Sequence, residues 1–169
     1  PLQAVLFYFW ETYGGMSFTI SNFVRPERYE STFFDVYSVK VVAIVPTYKP
    51  GELTVKLIKD IVAWNPDIQI YVVDDCTPDT YSEGFPIFQE IAALGERVTL
   101  MRTPVNRLKA GALNFALRAI FLKTKSARPD VVITLDDDVV INQHTIRNLV
   151  IELMRHEKIG AVCSQCLVY

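Results

Sequence analysis

Val131-Val132-Ile133-Thr134-Leu135-Asp136-Asp137-Asp138 is an apolar, β-branched run that stops in three consecutive acids. A buried parallel strand gives such a run, because helices cover both its faces and the residues need not alternate. The acids then fall at the carboxyl end of the strand, where open α/β sheets bind ligands. Three adjacent carboxylates repel one another unless a cation or hydrogen bonds compensate. Asp136 and Asp138 are one residue apart. Where the chain turns off a strand, that spacing can aim both at one hard divalent cation carried by phosphates. The competing reading is a solvated acidic loop that follows a core strand.

The flanking sequence repeats the pattern. Lys40–Pro46 is a β-branched run ended by proline, followed by the loop Thr47–Gly51 and a helical pattern over Glu52–Trp64 with Leu53, Leu57, Ile58, Ile61 and Trp64 on its inner face. Ile68–Val73 is a second strand, also ending in acids, Asp74 and Asp75. Glu83–Leu94 reads as a helix with Phe88, Ile91 and Ala92 inward and Gly95 as its cap. Arg97–Met101 is a third strand, and Lys109–Lys123 a helix with Leu113, Leu117, Ile120 and Phe121 on one stripe. After the fourth strand, Val131–Leu135, Asn142 caps a helix to Arg155 whose inner face is Ile146, Leu149, Val150, Leu153 and Met154. Ile159–Cys163 opens a fifth strand. Strands alternating with helices predict an α/β fold, a mostly parallel sheet with helices on both faces.

Composition narrows the classes. The chain has 169 residues, half of them hydrophobic, and a net charge of −2. It is long enough for a substantial core, and neither disordered nor built for general binding to nucleic acid. Cys163 and Cys166 form one CxxC without a second pair, which makes neither a zinc site nor a disulfide framework. Residues 1–39 read as a hydrophobic, irregular lead-in. Its run Ala4–Trp10 is too short to span a bilayer and is read as membrane-proximal, the alternative being a segment packed on the domain. Both chain ends fall in apolar sequence, which suggests a piece of a longer protein with the domain at 40–169 incomplete at its C-terminus.

Parallel strands place their carboxyl ends on one edge. The loop at 47–51, Asp74 and Asp75, the loop at 103–109 and Asp136–Asp138 should therefore meet there. Acids with Arg107 and Lys109 nearby suit a nucleotide that carries phosphates and a metal. Neither GxGxxG nor GxxxxGK[ST] is present, so the nucleotide is held in another way.

Four stretches in this order carry a resemblance: Val-Pro-Thr-Tyr at 45–48, Val-Val-Asp-Asp-Cys-Thr-Pro-Asp at 72–79, Asn-Arg-Leu-Lys-Ala-Gly-Ala-Leu-Asn at 106–114 and Leu-Asp-Asp-Asp at 135–138. Over roughly residues 41–169 the chain resembles the family 2 glycosyltransferases. These are inverting enzymes of the GT-A fold, a Rossmann-like sheet, and the likeness is to the processive branch that includes cellulose, chitin and hyaluronan synthases. The resemblance implies a hexosyltransferase of polysaccharide biosynthesis that uses a UDP-sugar, a carbohydrate or lipid-linked acceptor, and Mg²⁺ or Mn²⁺. It implies that Pro46, Thr47 and Tyr48 flank the uracil or ribose and that Asp74 and Asp75 contact the base or ribose. Arg107 and Lys109 would face the diphosphate, with Asn114 supporting that wall. Asp136-Asp137-Asp138 stands where the family has its DxD motif: Asp138 would ligate the metal with Asp136, which also reaches the sugar or ribose. The middle position is usually small and here is Asp137, which the resemblance places with Asp136 among the residues that contact the donor nucleotide. The family's general base lies in a later segment, so no catalytic residue is nominated; Glu152 and Glu157 read as surface charges. By family habit the enzyme would be membrane-associated with a cytoplasmic catalytic domain. Two other readings compete. A nucleotidyltransferase would need a glycine-rich loop after the first strand. A receiver-like signalling module would need paired acids there, where this chain has Pro-Thr-Tyr.

Overall fold

The computed structural model describes residues 38–124, 127–155 and 158–164. The lead-in at 1–37, Glu157, His156 and Cys166 lie outside the described residues, and with them the membrane-proximal reading of Ala4–Trp10.

Strand β1 (Val41–Thr47) is buried along its whole length. Helix α1 (Glu52–Trp64) leads to β2 (Gln69–Asp74), then α2 (Gly84–Ala92), β3 (Val98–Arg102), α3 (Leu108–Phe121), β4 (Val131–Thr134) and α4 (Thr145–Met154). The sheet order is β3-β2-β1-β4 and every pairing is parallel. The predicted parallel α/β sheet is thus present, with boundaries within a few residues of those the sequence suggests.

Alternate residues of the strands face two apolar layers. Val41, Ala43, Val45, Ile70 and Val72 pack with Leu57, Ile58 and Ile61 of α1, Ile91 of α2, and Ile146 and Val150 of α4. Val42, Ile44, Tyr71 and Val73 pack on the opposite face with Ala112, Ala116 and Ile120 of α3. The chain therefore winds from β1 outward to β3 beneath α1 and α2. It then returns over the other face through α3 to place β4 beside β1. The order reverses between β1 and β4, which makes their carboxyl ends the topological switch point, the crevice where doubly wound sheets bind ligands.

Several details differ from expectation. Ile159–Cys163 is not a strand: it makes no ladder with β4, and most of its residues are exposed. A short apolar stretch with a glycine in it has no reason to stay extended without a ladder partner. Leu53 and Trp64 are at least one-third exposed, because the first and last turns of α1 overhang the sheet. On α3 the most buried stripe is Ala112, Ala116 and Ile120, whereas Phe121 is exposed and Leu113 and Leu117 sit at the flanks. Small residues at the line of closest approach let the helix backbone come near the sheet. Ala92 and Met154 are exposed in the last turns of α2 and α4. Asn142 is not the cap: the helix starts from His144, which makes no side-chain cap bond, and Asn142 instead holds the turn before it, accepting the His144 N–H at 2.8 Å and donating its own N–H to Thr145 Oγ1 at 3.1 Å. Among the described residues no helix is long and apolar enough to cross a membrane.

Candidate functional site

Hydrogen bonds just beyond the strands hold their carboxyl ends together. Asp75 N–H donates to Thr47 O at 2.8 Å, Thr103 N–H to Asp74 O at 2.9 Å, and Leu135 N–H to Ile44 O at 3.1 Å. The ladder thus continues one step past each strand and brings residues 47, 74–75, 103 and 135–138 to a single rim.

Three residues at this rim have left-handed backbones: Lys49 (φ 56°), Cys76 (φ 59°) and Leu108 (φ 59°). None is glycine, and each follows a different strand. Such a conformation costs about 1–2 kcal/mol for a residue with a Cβ and tends to gather at functional sites. The loops are also laced together. Lys49 N–H donates to Thr77 Oγ1 at 2.8 Å, and the Tyr81 hydroxyl donates to Pro50 O at 3.0 Å. Burial, and then the Glu83 carboxylate, raise the Tyr81 pKa above its usual 10.

The five acids at the rim divide into two kinds. Asp74 and Asp75 are buried, at 2 % and 4 % exposure. Asp74 accepts the Thr77 N–H at 3.0 Å and faces Arg102 Nε at 3.4 Å. Arg102 also donates to Asp79 at 3.0 Å and to Thr77 O at 2.7 Å, so it binds the turn after β2 to the sheet. The Asp79 bond, and more weakly the charges of Asp74 and Asp79, raise its pKa against the effect of burial. Asp75 accepts from Thr103 Oγ1 at 2.9 Å and from Arg107 N–H at 2.9 and 3.1 Å. Its carboxylate therefore caps the start of α3, where a negative charge is favoured. Both acids stand where the sequence puts them, but these oxygens are turned onto the chain's own donors.

The second kind belongs to β4's exit. Asp136 is exposed and forms an ion pair with the Lys109 ammonium from the first turn of α3. Asp137 is half-buried and accepts from Thr47 Oγ1 at 2.5 Å and Thr54 Oγ1 at 3.4 Å. Asp138 is exposed and makes no hydrogen bond or ion pair with the described residues. These contacts close a circuit from β4 to β1, β2, α3 and back to Asp136.

The remaining candidates lie around that circuit. Pro46 and Thr47 are buried at the end of β1. Tyr48 is 46 % exposed, with the Lys49 ammonium 5.5 Å from its ring centre. Arg107 is exposed, and its side chain folds over the first turn of α3 onto the place a Cβ of residue 111 would occupy, which is why Gly111 stands there. Asn114 is exposed farther along α3 and is not joined to the rim by any hydrogen bond among the described residues.

Sequence reasoning passed over Thr54, Thr103 and Arg102. A hydroxyl on the apolar face of α1, three residues after Gly51, is the legible sign of Thr54, because it matches a capping position. Among the described residues no cluster of three or more His, Cys, Asp or Glu could enclose a metal. A hard dication that keeps its waters and rides on a diphosphate needs only one or two carboxylates, so outward Asp136 and Asp138 fit it. A cavity of about 370 Å³ lies at the other, amino edge, between Val39, Val41, Trp64, Ile68, His144 and Arg147. It is distant in the fold from the rim acids, and the chemistry is read at the rim.

The profile of glycosyl transferase family 2 matches residues 42–167, three-quarters of the chain. The chain belongs to glycosyl transferase family 2. No curated protein matches this family 2 chain. Among solved structures it is similar to a mannosyltransferase from Pyrobaculum calidifontis in complex with GDP-Man and Mn2+, with a TM-score of 0.52 and 24 % identity. The match covers 91 % of this chain and 44 % of that one. This likeness carries the fold, GT-A, and the chain spans less than half the length of that mannosyltransferase. Family membership sets aside the nucleotidyltransferase and receiver-like readings.

Proposed function

We propose that this domain binds the nucleotide-sugar donor of a metal-assisted glycosyltransferase, which transfers a sugar with inversion to a carbohydrate or lipid-linked acceptor. The observation that carries the proposal is the rim at the β1/β4 switch point. There Asp136 and Asp138 face outward on either side of an inward Asp137, with Lys109 beside them. Asp136 and Asp138 would hold Mg²⁺ or Mn²⁺, which when bound neutralises charge developing on the diphosphate leaving group. Lys109, in the first turn of α3, offers positive charge to the phosphates. Exposed Tyr48, on the buried support of Pro46 and Thr47, offers an aromatic surface to the base. Asp74 and Asp75 brace the loops that frame it. Arg107 is free to reach the phosphates, and Asn114 stands at the outer end of that wall.

The resemblance points to UDP, whereas the mannosyltransferase of similar fold was solved with GDP-Man; both nucleotides therefore enter the test. Hexosyl transfer, processive synthesis and attachment to a membrane extend the same reading. No residue of this chain is assigned as general base: Glu152 is on α4 and pairs with Arg155 at 3.1 Å. Calorimetric titration of UDP and GDP, with and without Mn²⁺, tests the proposal. One nucleotide should bind more tightly with Mn²⁺, and Asp138→Ala should abolish that gain. Binding indifferent to Mn²⁺, or to this substitution, would refute it.

A further inference from the structure

We infer that Asp137 is a positioning residue: held by Thr47 and Thr54, it fixes the turn that presents Asp136 and Asp138. The inference rests on the donor-site reading above and assigns to the middle acid a role other than touching the donor. Three identical carboxylates in a row have no intrinsic preference for which of them faces inward. Val139 N–H to Asp136 O, at 3.5 Å, marks a turn at 136–139, and Leu135 and Val139 pack against the core on either side. What selects Asp137 is a pair of hydroxyls beneath the turn.

Thr47 and Thr54 are 3 % and 2 % exposed. Thr54 Oγ1 accepts the Gly51 N–H at 3.2 Å, which leaves its one hydrogen for Asp137 Oδ2. Thr47 Oγ1 donates to the same oxygen. The carboxylate also lies against the first turn of α1, where the helix dipole favours negative charge. Turning Asp137 out would strand two buried hydroxyls, and turning Asp136 in would break its pair with Lys109. The arrangement therefore has one favoured setting, with the outer acids presented as a pair. Thr54 touches no group assigned to the donor: its hydroxyl meets only Asp137 and the Gly51 N–H at the end of the loop that carries Tyr48, so an effect through Asp137 is told from one through that loop by an unchanged metal-free nucleotide affinity.

The test compares Asp137→Ala, Asp137→Asn and Thr54→Val with Asp138→Asn. It reads Mn²⁺ affinity by electron paramagnetic resonance in the presence of UDP or GDP, and metal-free nucleotide affinity by calorimetry. Asp137→Ala should weaken Mn²⁺ about tenfold or more, as loss of an orienting partner commonly does. Thr54→Val should weaken it in the same direction, with metal-free nucleotide affinity unchanged in both. Asp137→Asn keeps an oxygen that can accept both hydroxyls and should stay closer to the parent than Asp138→Asn. If Asp137→Asn is as damaging as Asp138→Asn while Thr54→Val is silent, Asp137 is itself a ligand and the inference falls. If Asp137→Ala leaves Mn²⁺ affinity intact, it falls also. Should Asp137→Ala fail to fold by circular dichroism, the Asn and Thr54 variants decide. A parent chain that binds neither nucleotide overturns the donor-site reading and the inference with it, and is distinguished from these outcomes by the parent titration.

Discussion

Replacing Lys109 with Met should move two affinities in opposite directions. The Lys109 ammonium pairs with Asp136, one of the two outward carboxylates. A dication and a diphosphate must therefore split an existing pair: the cation takes the carboxylate and the ammonium passes to phosphate. The pair is open to water, with side chains 58 % and 48 % exposed. Such pairs are worth about 0.2–1 kcal/mol. Lys109→Met keeps the apolar stem and deletes the charge. Free Mn²⁺, measured without nucleotide, should bind about 1.4- to 5-fold more tightly, at 1.36 kcal/mol per tenfold. Nucleoside diphosphate should bind more weakly, because a charge-assisted hydrogen bond worth about 1.5–3 kcal/mol is lost against that smaller release. The net loss is about 0.5–3 kcal/mol, or roughly two- to a hundredfold. Both changes should shrink as ionic strength rises, since the groups are exposed. Mn²⁺ titration by paramagnetic resonance, repeated with UDP and GDP, reads both. If free Mn²⁺ and nucleotide affinities fall together, Lys109 does not trade partners and the reasoning fails.

Three further outcomes follow from contacts around the rim. Gly111→Ala would drive a methyl into the Arg107 side chain where it joins the backbone; overpacking of this kind costs about 1–3 kcal/mol and should lower the urea midpoint while weakening nucleotide binding. Leu108→Gly removes a left-handed leucine that is 75 % exposed, so little burial is lost; relief of about 1–2 kcal/mol against a glycine entropy cost of about 0.5–1 should leave stability equal or slightly higher in thermal unfolding. A clear loss would mean that Leu108 packs on something that exposure does not reveal. Asp75→Asn leaves Arg107 N–H and Thr103 Oγ1 without their charged acceptor and should destabilise the domain by about 1–3 kcal/mol in urea denaturation. An unchanged midpoint would show that α3 does not depend on this cap.

The sheet was legible because its strands are buried on both faces, and continuous β-branched runs such as Val41–Val45 and Val131–Ile133 have few other uses. The rim was legible for a topological reason: parallel strands have no choice about which edge receives their carboxyl ends. Side-chain direction was not legible. Nothing in Asp-Asp-Asp says which acid turns inward, because that depends on Thr54, which lies 83 residues away from Asp137 in sequence. Likewise Asp74 and Asp75 look like free ligands in sequence, while Arg102, Thr103 and the α3 backbone meet them in the fold. Helix faces were misread where packing distance outweighed hydrophobicity: Ala112 and Ala116, not Leu113 and Leu117, lie deepest. Ile159–Cys163 does not open the expected strand, because apolar content marks a wish to be buried, whereas a strand also needs a neighbour to bond.

Strand β4 is fastened to β1 by contacts that bridge 90 residues at each end, Lys40 to Asp130 and Thr47 to Asp137. Closing so long a stretch of chain costs entropy before any contact repays it, so these contacts are expected to form late in folding. Half-folded chains would accordingly lack any recognition surface for the nucleotide, and ligand would reward only the completed domain. The free energy of binding then adds to global rather than local stability. Saturating nucleotide and Mn²⁺ should slow amide exchange in the innermost strands as well as in the surface loops.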